Sequence, residues 1–301
     1  MSKVLITGAT GFTGHYLTQE LRAAGYDVVG LGSALRVGQQ DDPSTTLFRC
    51  DLLDRAGLEK VMVQVKPDVI VHLAAIAFVA HGDVDAMYRT NVVGSRNLLD
   101  AIAKSGHSPR AVLLASSANI YGNAVVDPID ENVAPAPAND YAVSKLSMEY
   151  MARLWSDQLP ITMVRPFNYT GAGQSLNFLI PKIVDHFKRR APVLELGNLN
   201  VIRDFSDVRS VVQRYRLLVE ANLHGDVFNV CSGQGHSLLD VLQMMRELSG
   251  HDPEIRVNPA FVRANEVHRL VGSNAKLHAA IGQVADIPLK ETLQWMLNSK
   301  V

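Results

Sequence analysis

Short apolar runs alternate with stretches of helical spacing through the first half of the chain. The runs are Val4 to Thr7, Val28 to Leu31, Leu47 to Cys50, Val69 to Leu73, Ala111 to Ser116 and Ile161 to Val164. Between them, Gly14 to Ala24, Arg55 to Val65, Met87 to Lys104 and Tyr141 to Gln158 carry apolar residues three and four positions apart, the period of a helix face. Strands without polar alternation are buried on both faces, as in a parallel sheet covered by helices. The pattern predicts an α/β fold, a Rossmann-type doubly wound parallel sheet.

The rhythm changes near Tyr169. Gly171, Gly173 and Gln174 read as a loop, Phe178 to Arg190 as a helix, and Val193 to Leu196, just after Pro192, as a short strand. Asp207 to Ala221 then looks helical, Val227 to Cys231 looks like another buried strand, and a helix is expected near Leu238 to Leu248. The chain therefore leaves the sheet and returns to it. Two interleaved domains are expected: 1–168 with 204–232 as the Rossmann domain, and 169–203 with 233–301 as a smaller substrate-binding domain. No internal repeat or low-complexity tract interrupts this reading.

Composition removes several function classes. Over 301 residues, 29 Lys and Arg stand against 30 Asp and Glu, a net charge of -1. Phosphate neutralisation needs a basic excess, so no nucleic-acid partner is expected. The longest apolar run, Val69 to Ala80 with His72 inside it, is too short to span a bilayer, and the N-terminal run breaks at Gly8 as a strand rather than a signal peptide would. No membrane partner is expected. Two cysteines, Cys50 and Cys231, make neither a disulfide framework nor a thiolate metal site and suit a reducing compartment, so a cytoplasmic location is expected. The ten histidines show no metal-ligand spacing, and no metal site is predicted.

The first strand runs into T-G-A-T-G-F-T-G, which places Gly8, Thr10, Gly11, Phe12, Thr13 and Gly14 between a strand and a helix. Glycines there permit a tight turn, a close backbone approach to a pyrophosphate and close helix packing, and the phosphate meets free N–H groups at the positive end of the helix dipole. A dinucleotide cofactor is predicted. An NAD site usually places an acid at the end of the second strand, but here that strand ends Gly30-Leu-Gly-Ser33-Ala-Leu-Arg36. Ser33 and Arg36 suit a 2′-phosphate, which favours NADP(H) over NAD(H). The alternative for Arg36 is a solvated loop charge. Asp51, after the third strand, is a candidate for the adenine edge or a helix N-cap.

Tyr141-Ala-Val-Ser-Lys145 places a phenol and an ammonium four residues apart, on one helix face. A lysine beside a phenol favours the phenolate and makes proton exchange with an alcohol or carbonyl oxygen feasible near neutral pH. The buried strand Leu113-Leu-Ala-Ser116-Ser117 ends in hydroxyls at the carboxyl edge of the sheet, where ligands bind.

With these motifs in order, the sequence resembles the extended short-chain dehydrogenase/reductase family, nucleotide-sugar branch. The matching residues are TGATGFTG, Asp51-Leu52, His72-Leu73-Ala74-Ala75, Asn91-Val-Val-Gly94, Ser116-Ser117-Ala-Asn119-Ile-Tyr121-Gly122, Tyr141-x-x-x-Lys145 and Arg165-Pro-Phe-Asn168, which together cover most of the chain. The resemblance implies that Ser117, Tyr141 and Lys145 are catalytic. It implies that Leu52, Leu73, Ala74, Ala75 and Asn91 line the cofactor with the glycine turn, that Lys145 also holds the nicotinamide ribose, and that Asn168 contacts substrate phosphates. V-I-R-D-F-S-D-V at 201–208, F-N-V-C-S-G-Q at 228–234 and V-R-A-N-E-V at 262–267 are similar to the GDP-mannose branch. That likeness assigns Arg203 and Arg263 to a pyrophosphate and Glu266 to the ribose or base, although Arg203 and Asp204 also read as a structural ion pair.

Within that branch, dehydratases carry an acid two places after the catalytic serine, where this chain has Asn119, an amide that exchanges no proton at neutral pH. Epimerising relatives use a Cys and a His, and neither Cys50 nor Cys231 sits suitably. A plain reductase remains: NADPH-dependent reduction of the C4 keto group of GDP-4-keto-6-deoxy-D-mannose, to GDP-D-rhamnose or GDP-6-deoxy-D-talose, with Ser117 and Asn119 beside the sugar. The alternatives are an NAD-dependent nucleotide-sugar 4-epimerase, a GDP-mannose 4,6-dehydratase, and a non-catalytic NADP-sensing protein, which would typically lose the tyrosine or lysine. Two departures from the family are Ala77, where a hydroxyl is frequent, and Gln283, where relatives often carry tryptophan. Lys188-Arg-Arg190 reads as a solvated helix C-terminus. The resemblance implies a homodimer through the helices at 87–104 and 141–158.

Overall fold

A computed structural model describes residues 1–33, 46–77, 82–261 and 267–299. In chain order its strands are β1 (Lys3–Thr7), β2 (Asp27–Gly32), β3 (Thr46–Arg49), β4 (Val69–His72), β5 (Ala111–Ala115), β6 (Ile161–Pro166), β7 (Asn168–Thr170), β8 (Val193–Leu196), β9 (Ile202–Asp207), β10 (Val227–Val230), β11 (Gly235–Ser237), β12 (Glu254–Val257) and β13 (Arg269–Leu270). The helices are α1 (Phe12–Ala23), α2 (Arg55–Val65), α3 (Val84–Tyr88), α4 (Ser95–Lys104), α5 (Asp140–Ala152), α6 (Leu179–Lys188), α7 (Val208–Glu220), α8 (Leu238–Ser249), α9 (Ala275–Ile281) and α10 (Leu289–Asn298).

Seven strands form one sheet in the order β10-β6-β5-β4-β1-β2-β3, with every pairing parallel. The order reverses beside β1, so the ends of β1, β4, β5 and β6 open on one crevice, the usual ligand position in such sheets. The apolar runs behave as double-sided burial requires. Leu5 and Ile70 face a core formed with α2, α4 and α5, while Val4, Ile6, Val69 and Val71 face a core formed with α1 and α7. A third core joins α6, β8, α8 and α10. Among the described residues no helix is long and apolar enough to cross a membrane.

Local chemistry sets the helix ends. Asp54 caps α2 by accepting the Gly57 N–H at 3.0 Å, and Asn139 caps α5 by accepting the Ala142 N–H at 2.9 Å, two residues before Tyr141 is fully in the helix. Two stretches differ from the sequence reading. Met87 to Lys104 is not one α-helix, because a π-helical turn at Arg89–Gly94 joins α3 to α4. The turn brings Gly94 so close to Leu52 that a Cβ there would lie 2.8 Å from the leucine Cβ. The helix beginning at Tyr141 stops at Ala152, short of Gln158, and a 3-10 turn at Arg153–Trp155 tucks Trp155 under Arg96.

A second sheet, built on β9 with β7, β11 and β13, has no counterpart in the sequence reading. β9 reads Ile-Arg-Asp-Phe-Ser-Asp, yet Asp204, Ser206 and Asp207 are buried. Asp204 accepts from the Ser232 hydroxyl at 2.6 Å and from the Ser232 and Gly233 N–H groups at 2.9 and 2.8 Å, and Asp207 takes Arg209 and Thr292. The Lys188 to Arg190 cluster does lie at the α6 C-terminus: Lys188 donates to the Ser299 carbonyl, Arg189 pairs with Asp185, and Arg190 reaches the Ser249 carbonyl.

Candidate active site

The glycine turn follows β1 directly. Gly8 has φ +73°, and a Cβ there would lie 2.9 Å from the Ala74 backbone nitrogen, so the turn needs hydrogen at this position for two independent reasons. A Cβ on Gly14 would come within 2.2 Å of the Gly8 carbonyl oxygen, so α1 lies directly on the turn. Gly11 is the N-cap of α1, with no side-chain cap and no acid in the first turn. The helix thus offers its N–H groups and its positive end to whatever lies in front, which fits a dinucleotide pyrophosphate. Thr10 faces Gly32 at the end of β2, and exposed Ser33 follows immediately. Thr13 shares a 2.8 Å hydrogen bond with the Tyr169 hydroxyl, and Phe12 stacks on the Tyr169 ring at 6.3 Å.

A buried polar relay supports this crevice from below. Ser95 donates its hydroxyl proton to the Asn91 carbonyl at 2.7 Å, so it must accept from His72 Nε2, 2.8 Å away. That assignment leaves His72 Nδ1 bare to accept from Thr7 Oγ1 at 2.6 Å, and Thr7 in turn accepts the Ala74 N–H at 3.2 Å. Burial, with Lys145 nearby, lowers the His72 pKa to about 3, so the ring is neutral. The Asn91 side chain clamps Ile76 through both backbone groups, at 2.9 and 3.1 Å, and donates to Ser144 Oγ at 3.0 Å. One amide therefore ties the loop Leu73-Ala74-Ala75 to α5. Its residue lies in the π-helical turn, a feature frequent at functional sites. Leu52 is buried among core side chains, and its carbonyl accepts from the Asn97 side-chain amide at 3.0 Å.

Ser117 and Tyr141 meet above these elements, with Lys145 one turn further along the same face of α5, and all three are buried. The Ser117 and Tyr141 hydroxyls are hydrogen-bonded. Ser117 Oγ also accepts from the Asn119 backbone N–H at 3.2 Å and from its side-chain amide at 3.1 Å. The sequence predicts a phenol pKa lowered by Lys145, and the structure shows the opposite direction, set by burial. It pushes Tyr141 well above its ordinary range, against the pull of the Ser117 hydrogen bond. Burial also lowers Lys145 to about 8, with Glu149 pulling the other way. At neutral pH the site therefore holds a protonated phenol beside an ammonium, a pair suited to giving a proton to a carbonyl oxygen.

The predicted substrate residues are placed unequally. Asn168, half-buried, starts β7 on the same crevice edge, next in the chain after buried Phe167. Arg203, half-buried on β9, spends its guanidinium on the carbonyls of Ile202, Val267 and His268. It thereby grips the chain just after Arg263 and Glu266, which lie outside the described residues, as does Arg36. Asp51 is exposed and accepts the Leu53 N–H at 2.9 Å. It is not the N-cap of α2, because Asp54 fills that role.

Sequence reasoning missed the residues that hold these groups in place: Thr7, Ser95, Ser144, Tyr169, and the buried set of Tyr121, Glu149 and Arg165. Thr7, Tyr121 and Arg165 stand inside motifs the sequence shows, without their positioning roles being readable there, and Glu149 is the next step of the four-residue spacing Tyr141, Lys145, Glu149.

A parallel Rossmann-type sheet with a glycine turn at its switch point and a Ser, Tyr and Lys group at its carboxyl edge defines a dinucleotide-dependent oxidoreductase. Residues 4–231 match the NAD dependent epimerase/dehydratase family, and the chain belongs to that family, as an extended short-chain dehydrogenase/reductase. It is 34% identical to a GDP-6-deoxy-D-talose 4-dehydrogenase from Aggregatibacter actinomycetemcomitans, over 93% of this chain and 91% of the relative. It is 32% identical to a GDP-6-deoxy-D-mannose reductase from Pseudomonas aeruginosa, over 98% and 96%. A solved structure from Burkholderia cenocepacia J2315, described as a candidate epimerase, is 50% identical with a TM-score of 0.92, covering 99% of this chain and 97% of that one. The structure of RMD from Pseudomonas aeruginosa complexed with NADPH is 32% identical with a TM-score of 0.86, covering 99% and 98%.

Proposed function

We propose that this protein reduces the C4 keto group of GDP-4-keto-6-deoxy-D-mannose with NADPH, forming GDP-D-rhamnose or GDP-6-deoxy-D-talose. The observation that carries the reading is the Ser117, Tyr141 and Lys145 group with the Asn119 amide bonded to Ser117, where elimination would need an acid. Both curated relatives act on GDP-linked 6-deoxy sugars at the oxidation level this reaction connects, which supports it.

NADP(H), when bound, supplies the hydride that adds to C4. The chain's residues do the rest. Tyr141 gives its proton to the keto oxygen as C4 becomes a secondary alcohol, and Ser117 orients that oxygen by hydrogen bonding. Lys145 keeps a positive charge beside the phenol while the proton leaves and holds the nicotinamide ribose. Gly8, Gly11, Gly14 and the α1 N-terminus receive the pyrophosphate. Ser33 and Arg36 read the 2′-phosphate, Asn168, Arg263 and Glu266 hold the GDP portion, and Arg203 adds its charge beside them while it grips the carbonyls of Val267 and His268. The division into 1–168 with 204–232 and 169–203 with 233–301 separates these two tasks. Val93, Val143, Tyr150 and Leu154 are exposed apolar residues on the turn before α4 and on α5 and its end, which suits a homodimer through these helices, working in the cytoplasm.

The test is NADPH oxidation by the purified protein with GDP-4-keto-6-deoxy-D-mannose, with dTDP- and UDP-linked 4-keto sugars in parallel. Oxidation with the GDP sugar alone supports the reading, and NMR of the product separates rhamnose from talose. Arg36→Ala raises the KM for NADPH far more than that for NADH; equal changes remove Arg36 from the 2′-phosphate site. The second reading, a nucleotide-sugar 4-epimerase, is favoured by the half-identical candidate epimerase. It predicts sugar conversion with no net NADPH oxidation and NAD retained through purification.

A further inference from the structure

We propose that Glu149 is a positioning residue for this reduction: through Arg165 it locks the helix carrying Tyr141 and Lys145 to the strand leading into Asn168, and its negative charge faces the Lys145 ammonium. Tyr141, Lys145 and Glu149 are spaced by four on α5, so they share one face, and all three are buried. Arg165 on β6 grips Glu149 with two prongs, Nε to Oε1 at 2.9 Å and a terminal nitrogen to Oε2 at 2.7 Å. The two side chains are only 5% and 1% exposed. The other terminal nitrogen of Arg165 donates to the Tyr121 hydroxyl at 2.8 Å, and Tyr121 donates to Asn229 Oδ1 at 2.8 Å. Tyr121 closes the 3-10 turn whose N-cap is Ser117. One buried ion pair therefore reaches the elements that carry Ser117, Tyr141, Lys145 and Asn168.

Stability alone is a poor explanation for such a pair. Dehydrating both charges offsets most of their attraction, and apolar side chains of similar shape usually hold a fold as well. What an apolar substitute lacks is charge. Both Glu149 oxygens are taken by Arg165, so Glu149 acts on Lys145 through its field and through the placement of α5. The titratable groups around Lys145 are Tyr141 and Glu149 on its own helix and His72 at the end of β4, with Arg165 and Tyr121 behind the Glu149 carboxylate. Asp140 and Tyr88 bond to each other at the exposed start of α5. His72 is neutral and the phenol is protonated, so Glu149 is the group that favours the ammonium. Removing its charge lets Lys145 lose its proton at a lower pH.

The proposal rests on the reductase reading, and its test separates the two. In Glu149→Gln, which keeps the shape and drops the charge, kcat falls about tenfold with KM for NADPH within about twofold, and the alkaline limb of the rate profile moves down by about half a pH unit or more. In Glu149→Asp, which keeps the charge and shortens the reach, kcat falls while the limb stays at the wild-type pH. An unmoved limb in a folded Gln variant overturns the proposal. Should that variant not fold, wild-type kcat in the Asp variant overturns it instead. Competitive acetylation of Lys145 across the same pH range, read by mass spectrometry, reports its titration without any substrate. A lowered midpoint in Glu149→Gln, with a wild type that oxidises no NADPH, sinks the reductase reading and leaves the role of Glu149 standing.

Discussion

The Asn119 side-chain amide donates to Ser117 Oγ at 3.1 Å, and its backbone N–H donates to the same oxygen at 3.2 Å. A hydroxyl oxygen that already accepts two hydrogen bonds has its own proton free to point elsewhere, here to Tyr141 or to a bound carbonyl oxygen. Losing the side-chain donor removes one ordinary hydrogen bond, worth about 1 kcal/mol, or roughly two- to tenfold in rate. Asn119→Ala is therefore expected to lower kcat by that factor with KM for NADPH unchanged. Asn119→Asp loses more, because a carboxylate takes the serine proton for itself. Steady-state kinetics on both variants check the order; an Asp variant faster than the Ala variant removes Asn119 as the orienting group.

Tyr141 is the proton donor in the proposed reaction, and burial keeps its phenol protonated throughout the neutral range. Tyr141→Phe removes the proton and the Ser117 contact but leaves ring volume and helix packing in place. Turnover falls by about a hundredfold to ten-thousandfold, the span typical for loss of a general acid, while NADPH affinity stays within about threefold. Fluorescence titration of NADPH alongside single-turnover rates separates these effects. Activity within a few-fold of wild type would assign the proton to another group.

The His72 relay predicts a sensitivity to acid. In the folded chain the ring is held neutral, its pKa lowered from 6.5 to about 3 by burial, with Lys145 adding to the effect. The unfolded chain binds a proton below about pH 6.5 and the folded chain does not, so stability falls as the pH drops from about 6.5 toward about 3. The slope from this one site approaches 1.4 kcal/mol per pH unit, a few kcal/mol in all. His72→Gln loses part of the relay at neutral pH yet has a flatter profile below it. Denaturant unfolding of both proteins at several pH values reads the two slopes directly, and equal slopes mean that His72 is not the titrating group.

Burial on both faces made the main sheet legible, because β1, β4 and β5 must then be unbroken apolar runs, and the glycine turn and Tyr141-x-x-x-Lys145 are local patterns. β9 was hidden because its buried Asp204 and Asp207 are satisfied by Ser232 and Thr292, partners 28 and 85 residues away. The His72 relay was hidden for the same reason, with Thr7 and Ser95 lying 65 and 23 residues off. The π-helical turn left no mark on the apolar spacing of Met87 to Lys104, and the close approach of Gly94 to Leu52 that goes with it lies in another element. Chemistry confined to one turn or one helix face can be read along the chain; chemistry assembled across strands cannot.

Two glycines, matched in chemistry and opposite in circumstance, separate the cofactor turn from ordinary backbone strain. Gly14 is in α1, where alanine is intrinsically favoured, but its Cβ would lie 2.2 Å from the Gly8 carbonyl oxygen and 2.7 Å from Ala9 Cα. The turn has to move to admit it. Gly25 has φ +86° with nothing within 4 Å of a built Cβ, so Gly25→Ala meets conformational strain alone, about 1–2 kcal/mol. Both substitutions lower the melting temperature. Only Gly14→Ala disturbs the N–H groups aimed at the pyrophosphate, so it alone weakens NADPH binding, by about tenfold or more, the scale of one lost charge-assisted contact. Calorimetric binding on the two variants, compared at equal distance below their melting temperatures, decides the point. An affinity loss in Gly25→Ala as large as in Gly14→Ala would mean that lowered stability, rather than the shape of the turn, governs the cofactor site.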